Sequence, residues 1–449
     1  MNLSDLENKR LAVWGMGKEG AETIRFLWSH FPGKPLILID REIPENIPDD
    51  GPMHFIREDD LDKKTINFDV VIKSPGISLY HPHVKYLKDH HVTVTSATNI
   101  WFAQPRRGKV IAITGSNGKS TSCALLDHIL KGLNHTVELG GNIGKPLLSL
   151  ETDADYYIAE LSSYQTADLC YARGCMPDIA VLLNLFPEHI QWHQTHAQYY
   201  IDKYNLIRAG AGAVILNHTD PLTTEKKPKI SGAHWFNDPE GIHINEGHIN
   251  EGYIQFGEKR LGDITDITLL GRHNHENICA ALTVCQILGF DLTECFKLAA
   301  TYPGLPHRLE NLGLIKGRTY INDSISTTPE ATIAALKCFE GRAVTLLIGG
   351  QDRQQDFTAL ALYIKHHPEI NIITSYETGP KISMALEASG VTSYVAQAVG
   401  LEDGVKCAQK ITPKGGIILL SPAAPSYDGF KNYEHRGETF KLFSQNTLS

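Results

Sequence analysis

Lys119, Ser120 and Thr121 directly follow the run Gly115-Ser116-Asn117-Gly118. Glycines let backbone N–H groups close round phosphate oxygens, a lysine neutralises β- and γ-phosphates, and a hydroxyl can hold Mg2+. The preceding VIAIT is apolar and reads as a strand. The following residues place Leu125, Leu126, Ile129, Leu130 and Leu133 on one side of a helix. Strand, glycine-rich loop and helix N-terminus together make an anion site. A strict P-loop has a glycine five residues before Gly118, where this chain has Ile113, so the loop is a shorter form. A merely tight turn would not require a lysine followed by two hydroxyls.

Phosphoryl chemistry also needs anionic ligands for a metal. Glu160 ends the apolar run YYIAE, and Glu188, His189 and His193 follow the next one, IAVLLNL. In a parallel α/β sheet the C-terminal strand ends form one edge, where ligands bind. A lone acid at a strand end is usually just solvated, but two such ends beside a phosphate loop favour a metal. Lys203, in YYIDKYNLI, reads by itself as a surface lysine on a helix.

A second phosphate signature opens the chain. Gly15-x-Gly17-x-x-Gly20 follows the strand-like LAVW, and Asp40 ends the next apolar run, PLILID. This is the spacing of a dinucleotide-binding fingerprint, with an NAD enzyme as one reading and a plain βαβ packing turn as the other. A nicotinamide enzyme would leave the second loop and the acid–histidine cluster without a role. A nucleotide switch would keep the loop without needing Lys203.

These motifs need elements to hold them. A chain of 449 residues with a net charge of −9 is expected to fold as two to four domains, and its charge argues against nucleic acid as the main partner. No apolar run approaches a membrane span and the first residues lack a signal-peptide pattern, which points to a cytoplasmic protein. Eight cysteines are scattered; Cys170 and Cys175 are the close pair, and reduced thiols are the simpler reading than zinc. Three α/β series follow one another: RLAVWG to VTVTS, KVIAITG to AGAVILN, and RAVTLLIGG to GGIILLSPAAPS. FAQPRRGK (102–109) suits a linker, the region from about 231 to 270 reads as hairpins, and YPGLPHR (302–308) marks a boundary. The expected domains are 1–103, 104–303 and 304–449: a Rossmann-like domain, a P-loop ATPase-like parallel sheet, and a second Rossmann-like domain.

The stretches ITGSNGKST, GGNIGKP, ELSSYQ, NLFPEH, HNHEN, PHRLE, NDSISTTPEA and LLSPAAPSYDGFKNYEHRG run through the chain in order. Together they resemble the Mur ligases, ATP-dependent amide-forming enzymes of peptidoglycan precursor synthesis, and most of all the glutamate-adding members. Folylpolyglutamate synthetases and other Mur steps are more distant alternatives. The resemblance implies that ATP phosphorylates the carboxylate of UDP-N-acetylmuramoyl-L-alanine and that glutamate's amine then displaces phosphate. It implies Lys119, Glu160, His189 and Lys203 as catalytic residues. Ser120, Glu160, His189 and Lys203, the last as a carbamate, would hold two Mg2+ ions. ATP would be met by Gly115, Ser116, Asn117, Gly118, Lys119, Ser120 and Thr121, with Asn274, Asn277, Arg308 and Asp323. The UDP-substrate would meet Gly15, Met16, Gly17, Asp40, Arg41, Ser74, Gly76, Asn142 and Gln165. A monomer binding small molecules is implied.

Glutamate would lie near Thr327, Arg353, Ser426 and Tyr433. Here the chain departs from the family pattern: Ile325 stands where a lysine is usual, Arg353 replaces another lysine, and Tyr433 replaces a phenylalanine. Arginine is a planar bidentate donor, so the bound carboxylate would be held differently. NDSISTTP, NLFPEH and VWGMGKEG resemble a branch that uses L-glutamate, with D-glutamate as the alternative.

Overall fold

The computed structural model describes residues 1–43, 47–48, 51–63, 66–169, 176–186, 188–208, 210–225, 232–246 and 252–445. Cys170 and Cys175 lie outside the described residues. The chain divides into two compact units, Met1–Ile267 with His273–Thr301, and Thr268–Arg272 with Tyr302–Ser449. The described residues form three sheets.

The first unit holds two of them. β1 (Leu11–Trp14), β2 (Leu36–Asp40), β3 (Met53–Arg57), β4 (Val70–Lys73) and β5 (Thr93–Ser96) form a wholly parallel sheet in the order β3-β2-β1-β4-β5. Every residue of LAVW and VVIK is buried, as expected of strands covered on both faces. The helix Lys18–His30 packs on this sheet through Thr23, Ile24, Leu27 and Trp28, which recur at helical spacing.

β6 (Lys109–Thr114), β7 (Val137–Gly141), β8 (Tyr156–Glu160), β9 (Ile179–Leu182), β10 (Ala213–Asn217), β11 (His234–Phe236), β12 (Ile242–Glu246), β13 (Gly252–Phe256) and β14 (Lys259–Asp263) form the second sheet. Its order is β14-β13-β12-β11-β10-β9-β6-β8-β7, and β12, β13 and β14 pair antiparallel, which accounts for the hairpin-like sequence of that region. One apolar cluster joins the two sheets through Leu11, Val13, Ile100, Trp101, Ala112 and Tyr157. The linker expected from residue 102 starts later, because Ser96 caps a helix, Ala97–Ala103, that buries Phe102.

In the second unit, β15 (Glu310–Ile315), β16 (Arg318–Asn322), β17 (Val344–Ile348), β18 (Ile370–Thr374), β19 (Val395–Gln397) and β20 (Ile417–Leu420) follow the order β15-β16-β20-β17-β18-β19. It is parallel except for the β15–β16 hairpin. Sequence patterning missed that hairpin because β15 has no buried residue and β16 sets only Tyr320 and Ile321 between the polar Arg318, Thr319 and Asn322. Among the described residues no helix is long and apolar enough to cross a membrane.

Candidate active site

The phosphate loop leaves β6 at the point where strand order reverses, between the ends of β8 and β9. Gly118, at φ 83°, caps the helix Lys119–Gly132 in the left-handed region that favours glycine. A side chain there would also strike Asn277, whose Oδ1 lies 2.4 Å from the Cβ position. The loop is braced from outside. Asn184 accepts from the Asn117 N–H at 2.8 Å and donates to its carbonyl at 3.1 Å. The Ser116 hydroxyl accepts from the Phe186 N–H at 2.7 Å and lies 2.6 Å from the Tyr199 hydroxyl. Lys119 Nζ folds over its own loop, donating to the carbonyls of Gly115 at 2.8 Å and Ser116 at 2.6 Å. Ser120 is half-buried and Thr121 buried at the start of the helix.

Glu160, fully buried at the end of β8, accepts from Asn142 Nδ2 at 2.8 Å through Oε1. Its Oε2 is buried with no hydrogen-bond partner. A carboxylate oxygen in that position is suited to a cation, so the residues present fit Mg2+. His189 is exposed to solvent, with φ 53°, and partial desolvation foremost lowers its pKa, which favours the neutral imidazole. Lys203 is buried rather than on the surface as its sequence alone suggests. Its Nζ donates to the Gly115 carbonyl at 2.7 Å. Desolvation, then repulsion from Lys119, pushes its pKa well below the ordinary 10.5.

A buried polar chain lies behind these groups. His193 Nδ1 is 2.6 Å from Asp202 Oδ2, and His193 Nε2 is 2.9 Å from Ser163 Oγ. The Tyr80 hydroxyl donates to Asp202 Oδ1 at 2.7 Å, linking the first sheet to the helix that carries Lys203. Nearby, Lys73 Nζ pairs with Asp168 at 2.8 Å, both side chains almost fully buried. Sequence reasoning noticed His193 but not Ser163, Asp202, Lys73 or Asp168. A polar residue adjoining a named motif residue, such as Asp202 beside Lys203, was the available signal.

At the C-terminal edge of the first sheet, Gly15 turns at φ 92°, and a side chain at Gly20 would meet the Gly15 carbonyl at 1.9 Å. Ser74 Oγ donates to that same carbonyl at 2.7 Å. Asp40 accepts from the backbone N–H of Met16 at 2.6 Å and of Arg41 at 2.7 Å, so it ties the glycine turn together. The Cβ positions of Gly17 and Gly76 face open space. Gln165 is buried, and its Oε1 accepts from the Ser162 N–H at 3.0 Å in a capping box.

The expected ATP-base and ribose residues fall in both units. Asn274 and Asn277 belong to the first, bonded to each other at 3.2 Å. Arg308 and Asp323 belong to the second. Arg308 Nε is buried with no hydrogen-bond partner, whereas Asp323 accepts from Ser326 Oγ at 2.5 Å, Ser421 Oγ at 2.8 Å and the Leu309 N–H at 3.1 Å. Burial foremost raises the Asp323 carboxyl to about 6. Thr327 follows β16, Arg353 follows β17, and Ser426 and Tyr433 follow β20. Ser426 is buried, Thr327 and Tyr433 are half-buried, and Arg353 is exposed with its guanidinium 5.5 Å from the Tyr427 ring.

A family model described as the Mur ligase middle domain matches residues 113–285. A relative from Xanthomonas axonopodis pv. citri, named UDP-N-acetylmuramoyl-L-alanine--L-glutamate ligase, is 37% identical over 98% of this chain and 96% of its own length. The chain belongs to the Mur ligase family. A Salinispora tropica protein of the same name is 35% identical, covering 98% of each chain. Mur ligases are ATP-dependent, ADP-forming amide ligases that use Mg2+. The likeness extends to fold among solved Mur ligases. UDP-N-acetylmuramate-alanine ligase MurC from Thermotoga maritima superposes with a TM-score of 0.61 at 16% identity, over 98% of this chain and all of that one. MurF from Acinetobacter baumannii gives 0.62 at 16% identity, over 100% of this chain and 93% of that one.

Proposed function

We propose that this Mur ligase joins L-glutamate to UDP-N-acetylmuramoyl-L-alanine, using ATP, as a cytoplasmic monomer in peptidoglycan precursor synthesis. The relatives named for that reaction support the substrates, and the observation that carries the chemistry is Lys203. Its amine lies buried against the Gly115 carbonyl, in a unit where Glu160 keeps one oxygen unpartnered. Residues 1–103 would hold the UDP moiety, 104–303 ATP, and 304–449 glutamate.

A carboxylate resists amines because oxide is not a leaving group. Transfer of the γ-phosphoryl group to the alanine carboxylate releases ADP and creates an acyl phosphate. The glutamate amine then attacks the acyl carbon, a proton is lost, and the tetrahedral intermediate collapses to amide and inorganic phosphate. The Gly115–Gly118 loop and the helix N-terminus receive the phosphates, and Lys119 turns from its loop carbonyls to them. Thr121, Asn274, Asn277, Arg308 and Asp323 complete the ATP contacts in this reading. Ser120, Glu160, His189 and Lys203 would hold two Mg2+ ions, which supply charge neutralisation for the phosphoryl oxygens. The neutral Lys203 amine adds to CO2 to give an anionic carbamate and a proton, so a residue that is a poor ligand becomes a good one. Asn142 and Gln165 orient the reacting arm of the UDP-substrate. Gly15, Met16, Gly17, Asp40, Arg41, Ser74 and Gly76 hold its far end. Thr327, Arg353, Ser426 and Tyr433 present the glutamate.

Phosphate release with UDP-N-acetylmuramoyl-L-alanine and each pure glutamate enantiomer tests the reading. Turnover is expected with L-glutamate and ATP together. Preference for the D-enantiomer overturns the stereochemical assignment, and turnover with neither enantiomer overturns the substrate.

A further inference from the structure

Glu58, His81 and His83 form a cluster of metal-ligating side chains that the amide-forming reaction does not use. Glu58 directly follows β3, and His81 and His83 flank Pro82 at the start of the helix Pro82–Asp89. One candidate ligand atom from each lies within 4.8 Å of those of the other two. His81 Nε2 and Glu58 Oε1 are 3.4 Å apart. Two donors bound to one tetrahedral ion at ordinary zinc distances stand about 3.3 Å apart, so this pair already has the needed separation.

The surroundings fix these groups. His81 Nδ1 accepts the His83 N–H at 3.2 Å, which caps the helix and leaves Nε2 for a ligand. Arg41 Nε lies 3.5 Å from Glu58 Oε2, the carboxylate oxygen not directed at His81. Trp14, at the end of β1, walls the cluster with ring centroids 5.6 Å from His81 and 6.4 Å from His83. His83 Nδ1 is buried without a hydrogen-bond partner. All three residues are half-buried, so an ion could enter from solvent.

We propose that Glu58, His81 and His83 bind one transition-metal ion of the Zn2+ or Co2+ type, with a coordination position left open. Two imidazoles and one carboxylate suit such borderline ions, whereas Mg2+ requires oxygen ligands and gains little from this set. None of the three residues belongs to the Gly115–Thr121 loop, and the proposal does not depend on that loop's assignment; Arg41, given above to the UDP-substrate, borders the cluster through Glu58.

The test uses metal-free full-length protein carrying Glu160→Gln, which removes the principal carboxylate of the other site. Titration with Co2+ alone, followed by visible absorption, and with Zn2+ alone, followed by calorimetry, should show one saturable equivalent at micromolar concentration. Adding His81→Asn keeps an oxygen to cap the helix but removes the ligand nitrogen. Adding Glu58→Gln keeps the side chain's size while removing its charge. Each should weaken binding at least about tenfold with the thermal melt retained, and His83→Ala should act alike. Absence of saturable binding up to millimolar metal, or equal binding in the His81→Asn and Glu58→Gln proteins, overturns the proposal.

Discussion

Lys203 Nζ donates to the Gly115 carbonyl at 2.7 Å although the two residues are 88 positions apart. That contact brings an amine into the interior immediately behind the phosphate loop. Burial disfavours its charged form, and the nearby Lys119 cation adds to the effect. A neutral amine can react with CO2, whereas an ammonium cannot.

Lys203→Ala should therefore remove most ATP-dependent turnover, at least about a hundredfold in kcat. Short carboxylic acids added to the variant should restore part of it by occupying the vacated space with an anion. ADP release measured across an acetate series checks this; indifference to the substitution removes Lys203 from the site.

Lys119→Ala should abolish turnover, with a loss of about a thousandfold or more, because no other residue offers a flexible cation on the loop itself. The fold should survive, since Lys119 is half-buried and donates two hydrogen bonds to carbonyls of its own loop. Coupled ADP assays with a parallel thermal melt separate the two effects.

Glu19 provides a stability test. Burial, then repulsion from Asp168, raises its carboxyl from 4.5 to about 7. The fold thus prefers the protonated form. Its contribution is fully present below 4.5 and is lost as pH rises through about 7. Glu19→Gln should be more stable than the parent at pH 8, with the advantage shrinking to nothing near pH 4. Melting temperatures across that range check the sign; a constant difference would show that Glu19 does not titrate in this window.

Arg436 is buried in the second unit, donating to Ser324 Oγ at 3.0 Å, the Ser324 carbonyl at 2.8 Å and the Ala424 carbonyl at 3.1 Å. It joins the segment after β16 to the one after β20, where Thr327, Ser426 and Tyr433 lie. Arg436→Lys keeps the charge but not the planar fork, and should cost about 2–4 kcal/mol of stability. The KM for glutamate should rise more than the KM for ATP. Denaturant titration and the two KM values test this; an equal rise in both would show a general loosening.

Local motifs were legible without coordinates because their physics is local. The Gly115–Thr121 loop needs a strand before it and a helix after it, and both are written in neighbouring residues. The three α/β series, the two glycine-rich turns and the run of family stretches could be read in the same way. The β15–β16 hairpin could not, because the partly exposed β15 and the polar residues of β16 break the continuous apolar run that marks a buried strand. Lys203 shows a stronger limit: as sequence it is a lysine on a helix, and burial next to Gly115 gives it its chemistry. Lys73 and Asp168 are 95 positions apart, and nothing in either neighbourhood announces the other. His193 with Asp202 and Ser163, and Glu58 with His81 and His83, are likewise products of packing. The sequence by itself determined the two glycine-rich turns and the elements that carry them. Only the tertiary structure decided which charges meet out of water, because desolvation and pairing depend on distances that chain order does not contain.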